Sequence, residues 1–193
     1  MVITGGAHLS VALALGTLLP AARIGRMEVF DQFDQRWAAG SEHYPAVRDD
    51  LLTAVDAREL DRVGPVCLYL DLRDEPSDAA YDTFVREHES DFAAFVHVRP
   101  TSAGGLDPAR AGDLAARCAR FARLLSGSHA NADLHLLYRG PFGLAVLVGR
   151  LLNTVHTVAY EWNPSAPGGP RFVPALRCVP SDMTHPVQVL LTL

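Results

Sequence analysis

Short apolar runs, set apart by polar segments rich in glycine and proline, organise this chain. Val66-Cys-Leu-Tyr-Leu-Asp-Leu72 follows Gly64-Pro65 and is apolar almost throughout, the pattern of a strand buried on both faces. Phe92–Val98 reads the same way. Residues 1–4, Arg26–Asp31, Asp133–Tyr138, His156–Glu161, Phe172–Val179 and Val187–Leu193 predict further strands. Helical spacing predicts helices over His8–Leu19, Asp78–Glu89 and Pro141–Leu152, and the clearest one begins at Asp107. There Asp107 is placed to cap, Pro108 sits at the first position and Gly127 just past the end. Its apolar stripe is Ala111, Leu114, Ala115, Cys118, Phe121, Ala122 and Leu125. Ala46–Arg62, with Val47, Leu51, Leu52, Val55 and Leu60, predicts one more helix. Asp34–Pro45 reads as a polar loop around Trp37, and Asn163–Pro170 as a loop with three prolines and two glycines. Strands alternating with helices predict an α/β fold with a largely parallel sheet in each half of the chain, flanked by helices.

The apolar pattern also repeats. Ser10-Val-Ala-Leu-Ala-Leu-Gly-Thr-Leu-Leu-Pro20 lies over Gly143-Leu-Ala-Val-Leu-Val-Gly-Arg-Leu-Leu-Asn153, with Ala12 on Ala145 and Gly16 on Gly149, an offset of 133. The strands that follow match as Val29-Phe30-Asp31 on Ala159-Tyr160-Glu161, an offset of 130. Two copies of one helix–strand unit predict two similar halves, about residues 1–103 and 104–193, with a pocket along their seam.

Composition narrows the function classes. With 193 residues, 49% hydrophobic and 20% charged, the chain has the mass for a sizeable core. A net charge of −5 argues against coating duplex nucleic acid, but leaves room for a small anion held by a few arginines and backbone N–H groups. Cys67, Cys118 and Cys178 are odd in number, widely spaced and set in apolar patterns, so they read as buried thiols and the compartment as cytoplasmic. Leu9–Leu19 is too short to span a bilayer, and its second copy carries Arg150, so no membrane contact is expected.

The candidate chemistry lies at strand ends. Thr4-Gly-Gly-Ala-His8 and Tyr138-Arg-Gly-Pro-Phe142 each join a strand to a helix. Glycines there let backbone approach a ligand, and helix N-termini favour anions. Gly5, Gly6, His8 and Ser10 in one turn, and Arg139, Gly140, Pro141 and Phe142 in the other, are therefore candidate ligand contacts. Asp71, Arg73, Arg99, Thr101 and Ser102 end the two central strands and join them. Trp37 and Trp162 are candidate stacking platforms for a base; core packing is the plainer reading for both. No phosphate-loop, dinucleotide-binding, nucleophile-elbow or zinc motif is present. Glu87-His88-Glu89 with Asp91 reads as a solvated helix end. Neither catalytic residues nor a metal are expected.

Leu144-Ala-Val-Leu-Val-Gly-Arg-Leu-Leu-Asn153, then Ala159-Tyr-Glu-Trp162 and Phe172-Val-Pro-Ala-Leu176, resemble the second half of a SAVED domain. Ser10–Gly16, Met27-Glu-Val-Phe30 and Trp37 are similar to that family's opening unit. SAVED domains are sensor modules fused to effectors in bacterial anti-phage (CBASS) and some CRISPR systems. The resemblance covers essentially the whole chain and implies one sensor domain over 1–193, a fusion of two CARF-like, Rossmann-like halves. It implies a cyclic di-, tri- or tetranucleotide as ligand, no other cofactor, and head-to-tail self-association that activates a linked or partner effector. A ring-nuclease-like phosphodiesterase that degrades the messenger, and a plain assembly subunit, stand as alternatives. Two features depart from the family pattern: no effector is attached, and only Met1–Thr4 precede Gly5. A stand-alone sensor, a piece of a longer effector and a misassigned start codon are all compatible with them.

Overall fold

The computed structural model describes residues 1–40, 50–75, 77–102, 104–182 and 184–190. Its strands are β1 (Val2–Thr4), β2 (Met27–Phe30), β3 (Arg36–Ala39), β4 (Leu52–Glu59), β5 (Val66–Asp71), β6 (Ala94–Pro100), β7 (Leu134–Arg139), β8 (Thr157–Asn163), β9 (Arg171–Cys178) and β10 (Val187–Val189). The helices are α1 (Leu9–Leu18), α2 (Asp78–His88), α3 (Ala111–Ser128) and α4 (Phe142–Gly149). A small sheet runs β1-β2-β3 and a seven-stranded sheet runs β10-β9-β8-β7-β5-β6-β4. The four inner strands β8, β7, β5 and β6 are parallel, while β4, β9 and β10 add antiparallel edges. The larger sheet takes β4–β6 from before residue 103 and β7–β10 from after it.

The alternation within β5 explains how its apolar run is used. Val66, Leu68 and Leu70 face a core shared with α1, α3 and α4. Cys67 and Tyr69 face a second core with Tyr81, Phe84 and Val85 of α2. Helices α1, α3 and α4 form a layer between the two sheets, since α1 packs on β8 and β9, α4 on β2 and β3, and α3 on strands of both. All three cysteines are buried and free, and burial pushes the Cys118 thiol up to about 12. Among the described residues no helix is long and apolar enough to cross a membrane.

Both repeated segments take the same path, strand–helix–parallel strand–antiparallel strand. Ile3 of β1 pairs with Val29 of β2, and Leu136 of β7 pairs with Ala159 of β8. These residues are related by the sequence offsets of 133 and 130. The repeated glycines mark where α1 crosses α4. A Cβ on Gly16 would lie 2.1 Å from the Val146 carbonyl oxygen, and one on Gly149 would lie 2.1 Å from that of Leu13. Val146 and Leu13 are themselves 133 apart, so the contact is reciprocal. Arg150, 2% exposed, donates to the Leu19, Ile24 and Gly25 carbonyls and closes the chain leaving α1.

Three local expectations are corrected. The helix over Ala46–Arg62 is replaced by edge strand β4; residues 46–49 lie outside the described residues. Its register shifts between Ala54 and Asp56, leaving Val55 unpaired and 48% exposed. That bulge breaks the two-residue alternation and gives Leu51, Leu52 and Val55 a helix-like spacing. Within the expected loop Asp34–Pro45, Arg36–Ala39 is β3, antiparallel to β2, and residues 41–45 lie outside the described residues. Asp107 does cap, accepting from the Ala109 N–H at 2.9 Å, but it caps a single 3-10 turn over Pro108–Arg110 that leads into α3. Gly127 sits inside the last turn of α3 rather than past it.

Candidate ligand-binding cleft

The turn before α1 and the turn before α4 line one cavity of about 650 Å³. Gly6, Ala7 and Leu9 contribute from the first turn; Gly140, Pro141 and Phe142 contribute from the second. Gly5 holds the first corner at φ +123°, a conformation that favours glycine, and its N–H donates to the Phe30 carbonyl at 3.1 Å. Beneath Gly140 the Tyr138 hydroxyl donates to the Pro141 carbonyl at 2.9 Å. A Cβ on Gly140 would stand 2.9 Å from that hydroxyl and 3.0 Å from Leu72 Cβ. The second corner is therefore tight because of what lies under it.

The Asp31 carboxylate shapes another wall. It accepts from the N–H groups of Phe33 at 2.9 Å and Gln35 at 3.0 Å, and faces Trp37 Nε1 at 3.4 Å. This folds Asp31, Gln32, Phe33 and Gln35 into the cavity lining and leaves Phe33 80% exposed. Trp37 lines the cavity too, but its ring is 1% exposed and backs onto α4, where a Cβ on Gly143 would meet it at 2.5 Å. Trp37 is packed as core rather than free to stack. Arg73, Asp74 and Gly104–Leu106 complete the lining.

A smaller cavity of about 180 Å³ adjoins the first and shares Leu9 and Arg73 with it. Arg139, Glu161, Trp162 and Phe172 are among its lining residues. Arg139 is not a loose charge at a strand end. Its Nη1 pairs with Asp71 Oδ1 at 3.0 Å and donates to the Glu75 carbonyl. Asp71 has no exposed side-chain surface; it accepts from the Ser77 N–H at 2.8 Å and pairs with Arg99 at 3.5 Å, and His97 Nε2 lies 3.7 Å away. Burial pushes the Asp71 carboxyl up, but His97, the Ser77 N–H and Arg139 outweigh it and hold it below its usual 3.8.

Several expected contact residues are placed differently. Asp71 lines neither cavity and acts through the arginines it holds. Arg99 is spent on Asp71 and Asp78, Thr101 donates to the Asp50 carbonyl, and Ser102 is exposed outside both cavities. The α1 N-terminus is already occupied by an anion of the chain's own: Glu161 Oε2 accepts from the Ser10 N–H at 3.0 Å, and Oε1 lies 3.5 Å from His8 Nδ1. Ser10 is buried and His8 largely exposed, and neither lines a cavity. Sequence reasoning passed over Asp31, Phe33 and Glu161 as site residues. The signal for two of them was present, since Asp31 and Glu161 occupy equivalent places in the repeat. Among the described residues no group of three or more His, Cys, Asp or Glu side chains is placed to hold a metal ion. His88 instead pairs with Asp91 at 2.9 Å on the surface.

The fold is shared with solved receptors. An Acinetobacter baumannii Cap4 SAVED/CARF-domain containing receptor with the cyclic trinucleotide 2'3'3'-cAAA superposes with a TM-score of 0.73 at 15% identity. The match covers 92% of this chain and 38% of that one. The same receptor with 3'3'3'-cAAA gives 0.72 at 15% identity over 90% and 37%. A Moraxella osloensis Cap4 SAVED/CARF-domain containing receptor gives 0.59 at 14% identity over 90% and 35%. This chain thus spans little more than a third of those receptors. Comparison with curated proteins gives no match. Residues 1–177 match the family model of the SMODS-associated and fused to various effectors sensor domain. This chain belongs to that family, the SAVED sensor domains.

Proposed function

We propose that this chain is the sensor of an anti-phage signalling system and binds a cyclic oligonucleotide in the 650 Å³ cleft. The observation that carries this reading is the convergence of the two repeated turns on one cavity. Its volume falls in the range of small-ligand sites, about 300–1,000 Å³. Gly6, Gly140, Pro141 and Phe142 bring backbone close to a ring of phosphates, Arg73 supplies positive charge, and the exposed Phe33 ring offers a face for a base. Arg139 and Trp162 extend the site into the side cavity. Membership of a sensor-domain family and a fold shared with receptors that hold cyclic trinucleotides support the same reading. In this proposal ligand binding drives head-to-tail association of copies in the cytoplasm. That association in turn activates a linked or partner effector.

Thermal unfolding with a panel of cyclic di-, tri- and tetranucleotides, backed by calorimetry, tests the binding. At a hundredfold excess over Kd the cognate ring should add about 2.7 kcal/mol of stability. No shift with any ring at millimolar concentration overturns the reading. Light scattering on the same samples tests association: the expected result is a mass increase only with the ring that binds.

A further inference from the structure

Resting on that reading, we propose that the 180 Å³ side cavity is a base pocket that selects guanine, with Glu161 as the specificity-determining residue. The cavity is too small for a nucleotide ring and shares Leu9 and Arg73 with the cleft. A base carried by a ring in the cleft therefore enters it directly. Glu161 and Trp162 are neighbours in β8 and leave the sheet on opposite faces, yet both line this cavity because it straddles the carboxyl end of the sheet. Trp162 is braced by Phe172, ring centroids 5.1 Å apart at 71°, and is still 42% exposed. That leaves indole surface on which a base can stack.

The polar groups select which base. A carboxylate repels phosphate, so Glu161 turns the backbone of the ring away and admits a donor-bearing base edge. Its two oxygens each face one partner, the Ser10 N–H and His8. Since a carboxylate accepts about four hydrogen bonds, each oxygen keeps a lone pair. Only guanine carries two adjacent donors, N1–H and the N2 amine, matched to two carboxylate oxygens. Adenine and cytosine place an acceptor nitrogen beside their single amine, and uracil flanks its N3–H with two carbonyls. Guanine's remaining acceptors, O6 and N7, are the preferred partners of an arginine fork. Arg139, fixed through Nη1 on buried Asp71, and Arg73 line the same cavity.

Calorimetric titration of the full chain with ring pairs differing in one base tests this: cyclic di-AMP against cyclic GMP–AMP, and cAAA against cAAG, linkage held constant. In at least one pair the guanine ring should bind roughly tenfold tighter or more, the discrimination of one good bidentate contact. Inosine in place of guanine, which removes only the N2 amine, should erase several-fold of that gap. Glu161→Gln keeps an acceptor for the Ser10 N–H but loses one acceptor oxygen, and should close the gap; its melting curve checks that it folds. Rings that bind with no guanine preference, an unchanged affinity for the inosine ring, or a gap that survives in a folded E161Q overturn the guanine pocket and leave the sensor reading standing. If no ring binds at all, the sensor reading falls and the pocket with it.

Discussion

Asp71 is a carboxylate without exposed surface that holds Arg139 and Arg99 at the ends of parallel strands. Asp71→Asn takes the counter-charge from Arg139 and leaves Arg99 with Asp78 alone, and breaking such a buried pair costs about 3 kcal/mol or more. Urea unfolding should show the midpoint falling accordingly. Arg139→Ala exposes the converse problem, since it leaves a buried carboxylate with Arg99, His97 and the Ser77 N–H alone; lost ligand affinity in that variant mixes contact with stability. Titration adds a pH dependence. His135, in contact with Phe92 and accepting or donating at 2.8 Å to the Tyr160 hydroxyl, is pushed by burial from 6.5 down to about 4. The unfolded chain therefore takes up this proton more readily, and stability present above pH 6.5 drains away as pH falls toward 4. The slope is at most about 1.4 kcal/mol per pH unit for one proton. His135→Gln should flatten that limb in a pH series of denaturant melts. An unchanged limb would assign the acid sensitivity elsewhere. Asp71, whose folded value lies below 3.8, adds its own loss only at still lower pH. From sequence, Asp71 at the tip of an apolar strand looks like a ligand contact. What it does depends on arginines 28 and 68 residues away, a relation no local pattern carries.

At the scale of elements, the repeated glycines explain why the repeat is visible at all. Gly16 and Gly149 let the backbones of α1 and α4 touch, and each fills the place the other's missing side chain leaves. Gly16→Ala or Gly149→Ala forces a Cβ against a carbonyl oxygen 2.1 Å away, so each should destabilise by about 1–3 kcal/mol or more. Gly127 in α3 is the control. Nothing lies within 4 Å of its added Cβ, so Gly127→Ala should stabilise by about 0.5 kcal/mol. Equal effects at all three positions would contradict the crossing. Buried strands and long helices were legible because apolar runs and apolar stripes at helical spacing report them directly. β4 was not, since its bulge at Val55 mimics helical spacing. β3 was not, since a four-residue strand within a polar segment is held by its pairing with β2 and by Trp37 packing on α4.

At the scale of the whole molecule, the strand-to-helix turns of both repeats face one cleft although about 130 residues separate them. The sequence repeat foretold that meeting. It did not foretell the Phe33 rim, which depends on Asp31 folding its own loop, or the side cavity, which exists because Glu161 caps a helix from the other repeat. The central β5–β7 pairing that puts strands from both sides of residue 103 into one sheet was equally out of reach, being set by long-range packing. A ligand spanning the cleft touches both glycine corners and should slow their local opening together. Hydrogen exchange of the free chain and of the chain saturated with the cyclic oligonucleotide proposed as its ligand measures this directly. Slowed exchange is expected at both residues 6–9 and residues 140–143, in the same titration and with the same midpoint. Slowing confined to one turn, or found only away from the two, would contradict a ring held between them.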